Sequence, residues 1–193
     1  MSRIKAFDEN EVLYNAMTTF WQNGFNKTSI QKLVKKIGVN RASLYSTYSD
    51  KEDLYQKCFL LYRKNLTNDI ERIFKNTITI KEGFDGLIDY LVLDLLDKKN
   101  GCLIVNSYIE LIPHHNKSFE KIIHDTSVIF ISQIKSLLQT AKKNNELTNN
   151  INISDATYII YTLIVGTSVL SKTKTSNKQL LNSLKIIKNT IFQ

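Results

Sequence analysis

The residues with the clearest chemistry lie in the stretch from Val12 to Ser49, which holds five basic residues and no acidic one. Arg41 can offer two parallel hydrogen bonds to the edge of guanine, and the small side chains of Ala42 and Ser43 let the backbone approach closely. Hydroxyl groups, which bond phosphate oxygens readily, follow at Tyr45, Ser46 and Thr47. Residue types in this order favour contact with double-stranded DNA.

The overall charge agrees with a nucleic-acid partner. The 193 residues carry a net charge of +8, and a basic balance favours nucleic acid or another anionic surface. Two cysteines are too few for a disulfide framework, which indicates a reducing compartment. The longest uncharged apolar-leaning run, 156–171, is shorter than the about 20 residues that span a membrane, and the start of the chain lacks the apolar core of a signal peptide. We therefore expect a cytoplasmic protein without a membrane span.

Catalytic motifs do not stand out, because the sequence lacks a Gly-rich phosphate loop, a nucleophile elbow and paired catalytic carboxylates. Enzyme activity and a cofactor are not expected. His114 and His115, with Glu110 or His124, offer ligands for a metal ion. Adjacent histidines do not share a helix face, however, and no spacing here is diagnostic, so no metal is expected either.

Apolar residues recur at helical spacing along almost the whole chain, and strict alternation over a strand length is hard to find. This pattern predicts an all-α fold of about nine helices. Capping and stop signals include Asp8, Thr28 with Gln31, and Ser49 with Glu52. The predicted helices cover 8–24, 28–38, 41–48, 50–74, 81–97, 102–111, 117–144, 154–171 and 177–192.

The second and third predicted helices are joined by a very short turn. Gly38 ends one helix and Asn40 caps the next, a spacing typical of a helix-turn-helix unit. Arg41 therefore stands at the N-terminus of the helix that enters the major groove in such units, where side chains reach base edges.

Residues 24–55, GFNKTSIQKLVKKIGVNRASLYSTYSDKEDLY, resemble the DNA-binding signature of the TetR family of bacterial transcription regulators. Residues 100–111, NGCLIVNSYIEL, are similar to a GCLxxN…EL segment of one large AcrR-like subgroup of that family. The resemblance implies an N-terminal three-helix DNA-binding domain at 1–50 and a helical ligand-binding and dimerisation domain at 51–193. It implies a homodimeric regulator, most simply a repressor, that binds a pseudo-palindromic operator and is released by a small-molecule effector.

The same resemblance assigns roles to residues of the first domain. It implies phosphate contacts by Thr28, Tyr45, Thr47 and Lys51. It places Gln31, Arg41, Ala42 and Ser43 nearest the bases, and Ser29 and Asn40 complete the expected DNA-binding set. Leu44 and Tyr48 are expected in the core.

The second domain is expected to hold the effector cavity and the dimer interface. Apolar side chains with a few polar groups suit a ligand pocket, and the expected lining residues are Tyr62, Phe84, Tyr90, Cys102, Tyr108 and Phe130. The last two helices carry broad apolar surface that must be buried in a core or against a partner. In the resembled family these helices form the dimer interface, expected here at Tyr158, Leu163, Gly166, Leu170, Leu180, Leu184 and Ile187.

Two other functions stay open at the level of the sequence. Cys102 begins a predicted helix, where the pKa of a thiol is lowered, so the same scaffold could sense oxidants or electrophiles. The simpler interpretation is a small buried residue at a helix start. The third function is a helical ligand-binding or protein-interaction module that lacks specific DNA binding.

Overall fold

The computed structural model describes residues 8–91, 100–111 and 117–193. Over these residues the chain forms nine α-helices, which confirms the all-α fold. The first four are α1 (Glu9–Asn23), α2 (Ile30–Ile37), α3 (Arg41–Thr47) and α4 (Lys51–Lys75). The others are α5 (Ile80–Leu91), α6 (Leu103–Leu111), α7 (Lys117–Lys143), α8 (Ile153–Leu170) and α9 (Asn177–Ile191). The predicted continuation of the fifth helix to 97 and the pair His114 and His115 lie outside the described residues.

Local signals set most helix ends. The Asp8 carboxylate accepts the Asn10 N–H at 2.8 Å at the start of α1, and the Asn40 side chain accepts the Ser43 N–H at 2.7 Å at the start of α3. Gly38 ends α2 with φ at +80°, in the left-handed region that glycine adopts without strain.

Two predicted caps are wrong by one residue. Ser29, not Thr28, caps α2, because its hydroxyl accepts the Lys32 N–H at 3.1 Å. Asp50, not Ser49, caps α4, because its carboxylate accepts the Asp53 N–H at 2.8 Å. In both places two neighbouring residues have cap-forming side chains, and only the backbone conformation decides between them.

The buried residues form two clusters. The first joins α1, α2, α3 and α4 to α6 and the start of α7, and it contains Leu44 and Tyr48 as expected. The second joins α5, α7, α8 and α9. Cys102, just before α6, packs against both clusters. The junction of the two clusters therefore lies beside α6.

The helix α8 is long and apolar enough to cross a membrane by length and composition alone, which the sequence analysis did not expect. Its first turn carries Asp155, and its buried side chains pack within the protein. Only 28% of its residues are buried, and large apolar side chains such as Tyr158 and Leu170 remain exposed. The hydrophobic character of α8 thus belongs partly to the core and partly to an uncovered face.

Candidate DNA interface and effector cavity

The N-terminal end of α3 is open to solvent. Arg41 and Ala42 are exposed, Ser43 is half-buried, and the residue before them, Asn40, is exposed as well. The guanidinium carbon of Arg41 lies 5.5 Å from the centre of the Tyr45 ring. At this distance the guanidinium can make a weak cation–π contact with the ring.

The face of α3 opposite its buried side and the exposed start of α2 form one surface. Leu44 and Tyr48 point into the core, so the opposite face of α3 is left for contact with a partner. Ser29 and Gln31 of the α2 segment are exposed. We call the surface formed by residues 29–31 and 40–45 the reading surface.

Two expected phosphate contacts do not fit this geometry. Thr28 is fully buried, and its hydroxyl donates to the Gly24 carbonyl at 2.6 Å. The Thr47 hydroxyl is also buried, and it has no hydrogen-bond partner within the described part of the chain. Neither hydroxyl is available to a phosphate oxygen in this conformation, because both face the interior. Tyr45, which is half-buried, remains a phosphate candidate.

The turn between α1 and α2 is held by Glu110, a residue of the GCLxxN…EL segment that was also a candidate metal ligand. The Glu110 carboxylate, near the end of α6, accepts the Phe25 N–H at 2.8 Å and the Asn26 N–H at 2.6 Å. Gly24 has a φ of +82°, which side chains other than glycine rarely adopt, so the turn favours a glycine there. No local pattern could have revealed this contact, since 85 residues separate Phe25 from Glu110.

Lys51 lies beside the same turn. Its ammonium nitrogen is 4.1 Å from the centre of the Phe25 ring. Burial lowers the pKa of the Lys51 ammonium below its usual value, while the Glu110 carboxylate opposes that shift. Lys51 is half-buried in this position, and its phosphate contact stays a prediction.

A cavity of about 100 Å³ lies between the two buried clusters. All six residues expected to line an effector pocket do line it. Its walls come from α4, α5, the start of α6, α7 and α8. The lining residues are Tyr62, Leu66, Ile70, Phe74, Phe84, Leu87, Tyr90, Leu91, Cys102, Ile104, Val105, Tyr108, Phe130, Gln133, Ile134, Leu137, Tyr161, Ile164 and Val165.

Polar groups in the cavity wall are few. The hydroxyls of Tyr108 and Tyr161 are 3.5 Å apart, and the Tyr108 hydroxyl donates to the Ile123 carbonyl at 3.3 Å. Burial raises the pKa of Tyr108 above its usual value, so its hydroxyl stays protonated at neutral pH. The thiol of Cys102 and the amide of Gln133 also belong to the wall.

The helix α6 connects the cavity wall to the first helix at both of its ends. Before its N-terminus, the Gly101 carbonyl accepts the indole N–H of Trp21 in α1 at 2.7 Å. Near its C-terminus, Glu110 holds the α1–α2 turn as described above. Ile104 and Val105 lie between these two contacts and face the cavity. A displacement of α6 therefore acts on the C-terminal end of α1 and on the turn that follows it.

The exposed faces of α8 and α9 form a shallow apolar groove. Six of the seven residues expected at a dimer interface line it, namely Tyr158, Leu163, Gly166, Leu170, Leu180 and Ile187. Leu180 and Leu184 are equally buried, but Leu180 reaches the groove, whereas Leu184, one turn further along α9, packs only in the second cluster. A Cβ atom on Gly166 would meet open space, so packing within this chain does not require that glycine.

Metal ligands do not converge in the described ranges, where no group of three or more His, Cys, Asp or Glu side chains is placed to hold an ion. Glu110 is engaged by the α1–α2 turn, and His124 is exposed on α7.

Comparison with known proteins identifies the helix-turn-helix segment. The sequence model for the family described as bacterial regulatory proteins, tetR family, matches residues 12–58. The HTH-type transcriptional regulator YezE of Bacillus subtilis is 34% identical over 116 residues, which cover 59% of this chain and 60% of that protein. The Staphylococcus epidermidis IcaR, a negative transcriptional regulator of the biofilm operon icaADBC, is 24% identical over 131 residues, which cover 61% of this chain and 65% of IcaR. The matched segment spans less than two thirds of each of these relatives.

Solved structures share the whole fold. A cysteine mutant of the TetR family transcriptional regulator CifR, complexed with 26-bp operator DNA, has a TM-score of 0.85 at 19% identity, over 98% of this chain and 100% of that one. The reduced form of Escherichia coli NemR has a TM-score of 0.81 at 18% identity, over 94% and 96% of the two chains.

A helix-turn-helix pair mounted on an all-α body defines a class of DNA-binding regulators. The matches give a narrower statement: residues 12–58 match the family of bacterial regulatory proteins, tetR family, and the chain shares its fold with solved TetR family regulators.

Proposed function

We propose that this protein is a one-component transcriptional regulator that binds a pseudo-palindromic operator as a homodimer and releases it when a small molecule binds. It acts in the cytoplasm as a repressor, as the name of the related IcaR describes for that protein. The observation that carries the proposal is the reading surface, where Arg41 stands exposed at the N-terminus of a short helix in a segment without acidic residues.

Residues at the N-terminus of α3 recognise the bases. Arg41 donates to guanine, the commonest specific contact in the major groove, while Ala42 and Ser43 leave room for the backbone. Gln31 and Ser29 flank this contact from α2, and Tyr45 donates to a phosphate. Phosphate contacts fix the orientation of the protein on the duplex, and base contacts supply the sequence preference.

Dimerisation sets the spacing of two such surfaces. The α8–α9 groove joins a second copy of this chain, which covers Tyr158 and Leu170 and admits the partner closely at Gly166. The two α3 helices then enter successive major grooves about 34 Å apart, which accounts for a two-fold symmetric operator.

Binding of the effector causes release of the DNA through a displacement of α6. A molecule in the cavity presses on Ile104 and Val105, and the two contacts of α6 with the first domain carry the displacement to α1. A ligand shifts the equilibrium only by its preference for one state, and such coupling typically amounts to about 1–3 kcal/mol. The dimer state with bound effector no longer matches the operator spacing.

Selection of genomic fragments with the purified protein, followed by footprinting of the strongest one, tests this function. We expect a short two-fold symmetric footprint. Salt-sensitive binding without a preferred fragment would contradict it, because the basic stretch would then supply only non-specific phosphate attraction.

A second proposal concerns the thiol of Cys102, which lines the cavity wall just before α6. In this version an oxidant or electrophile reacts with the thiol and displaces α6 as an effector would. The variant Cys102→Ser distinguishes release by a non-covalent effector from release by reaction of the thiol. Loss of peroxide-induced DNA release in this variant supports the thiol, and DNA release by oxidant that survives the substitution excludes it.

A further inference from the structure

The residues that form the wall of the cavity beside α6 indicate which charge its ligand can have. Among the described residues that form its wall none is charged, and the polar groups there are tyrosine hydroxyls, one thiol and one amide. An ion placed in such an environment loses its hydration and gains no counter-charge, which costs several kcal/mol even after relaxation. The wall therefore selects against carboxylates and ammonium groups.

Two charged side chains near the wall, Asp69 and Arg63, each bind to neighbouring side chains. The carboxylate of Asp69, which accepts from the Tyr90 hydroxyl at 3.4 Å, forms an ion pair with Arg72 at 2.8 Å. The guanidinium of Arg63 donates to the Thr126 hydroxyl at 3.2 Å. Neither of these groups is part of the cavity wall.

The size of the cavity limits the ligand to about one ring. Its volume is about 100 Å³, and an apolar cavity of roughly 150 Å³ engineered in another protein stays dry and binds benzene. The rings of Tyr62, Phe84 and Phe130 border the space, and aromatic side chains pack well against a flat partner.

One position in the wall suits a single polar group of the ligand. The contacts of the Tyr108 hydroxyl, 3.5 Å to Tyr161 and 3.3 Å to the Ile123 carbonyl, are both longer than the about 2.7–2.8 Å of a good O–H···O hydrogen bond. The Tyr161 hydroxyl can therefore turn from Tyr108 to a hydroxyl or carbonyl oxygen of a ligand with little loss.

We propose that the effector of this protein is an uncharged, mainly apolar molecule of about one aromatic ring, with one hydroxyl or carbonyl group that bonds to Tyr161. The proposal rests on the proposed function, which supplies the reason for a ligand at this site. It adds the chemical class of that ligand.

The test uses three probes that share a benzyl or phenyl ring and differ in charge: benzyl alcohol, benzoate and benzylammonium. Dissociation constants come from ligand-observed NMR titration of the full-length protein without DNA. We expect saturable binding of benzyl alcohol, with benzoate and benzylammonium weaker by at least about tenfold. Equal binding of the three probes, tighter binding of a charged probe or no binding of benzyl alcohol would overturn the proposal.

Two variants with matched controls place the binding in the cavity. Val165→Phe fills the cavity and is expected to abolish benzyl alcohol binding, while Val128→Phe, at an exposed position of α7, leaves it unchanged. Gln133→Lys adds a positive charge to the wall and is expected to make benzoate the preferred probe, whereas Gln139→Lys, exposed on the same helix, does not. Benzyl alcohol binding that survives Val165→Phe would overturn the assignment.

The result of the ligand-binding experiment and the result of the footprinting experiment can be interpreted independently. A specific footprint with no benzyl alcohol binding rejects only the ligand class. Benzyl alcohol binding in the cavity without a specific footprint supports the ligand class and rejects the regulator.

Discussion

At the scale of single residues, α3 carries exposed side chains on the face that we propose for DNA and core side chains on the opposite face. Arg41 and Tyr45 lie close together at the surface, while Leu44 and Tyr48 are buried on the opposite side. Thr47 belongs with the buried set, because its hydroxyl faces the interior. Its residue type and the resemblance to the family both predicted a phosphate contact for Thr47, whereas the burial of its hydroxyl favours a role in the core.

The variant Thr47→Val tests this assignment. A buried hydroxyl without a hydrogen bond costs about 1–3 kcal/mol, so its replacement by a methyl group of similar shape should raise the free energy of unfolding by about 1 kcal/mol. Operator affinity should not change. Chemical denaturation and a DNA titration measure the two effects.

Thr19→Val is the matched control, since the buried Thr19 hydroxyl donates to the Asn15 carbonyl at 2.7 Å and its loss should not stabilise the protein. Weaker operator binding by Thr47→Val would show that this hydroxyl turns outward and contacts phosphate after all.

At the scale of elements, the sequence predicted the helices well because the signals that delimit them are local. Asp8, Asn40 and Gly38 act within one turn of the chain, and the predicted bounds of α7, α8 and α9 agree with the structure to within about one residue. The contact of Glu110 with the α1–α2 turn could not be predicted from the sequence, because it depends on how α6 packs and not on any short pattern.

The N-terminus of α4 gives a prediction about pH. A hydrogen bond from Lys57 at 2.8 Å, together with the Ser49 N–H at 3.1 Å, holds the pKa of the Asp53 carboxyl below its usual value. A depressed carboxyl pKa stabilises the fold above the unfolded value of about 3.9, and this contribution is lost as the pH falls through the lower, folded pKa.

We therefore expect Asp53→Asn to be less stable than the wild type at neutral pH and to approach it in acid, below about pH 4. Thermal unfolding from pH 3 to 7 measures the difference. Glu71→Gln, whose carboxylate is exposed and 3.9 Å from Lys75, is the control. A stability difference that does not shrink in acid would contradict the role of the Asp53 charge.

The tie between α6 and the α1–α2 turn gives a prediction about coupling. Glu110→Ala removes the acceptor of the Phe25 and Asn26 N–H groups. Hydrogen bonds to a charged group contribute about 1.5–3 kcal/mol, so the free energy of unfolding should fall by about that amount. Hydrogen exchange at these two amides should become faster.

Glu120→Ala, at an exposed position in the first turn of α7, should change neither quantity. If amide exchange at Phe25 and Asn26 stays as slow in Glu110→Ala as in the wild type, α6 does not hold the turn.

At the scale of the whole molecule, α8 and α9 leave an apolar face uncovered within this chain, and we propose a second copy of the chain as its partner. The position of this face was predicted from the apolar pattern of the last two helices, apart from Leu184, whose burial depends on which way α9 is turned. Gly166 lies in the groove with open space around it, so we expect a large side chain there to leave its own chain intact and to disturb the proposed partner.

We expect Gly166→Phe to be folded and monomeric, because the ring occupies the space that a second copy needs. Sedimentation gives the mass, and circular dichroism checks the fold. Ser136→Phe, at an exposed position of α7, should remain dimeric. A dimeric Gly166→Phe protein would place the interface elsewhere.

The central claim, that the start of α3 reads the operator, is tested most directly by Arg41→Ala on the selected operator and on a fragment of unrelated sequence. We expect operator binding to weaken by about 1–3 kcal/mol, with a much smaller loss on the unrelated fragment, because Arg41 contacts a base. Arg72→Ala, an exposed arginine of α4, should leave operator binding unchanged. Equal losses on both DNA fragments would contradict the claim, since Arg41 would then bind only phosphate.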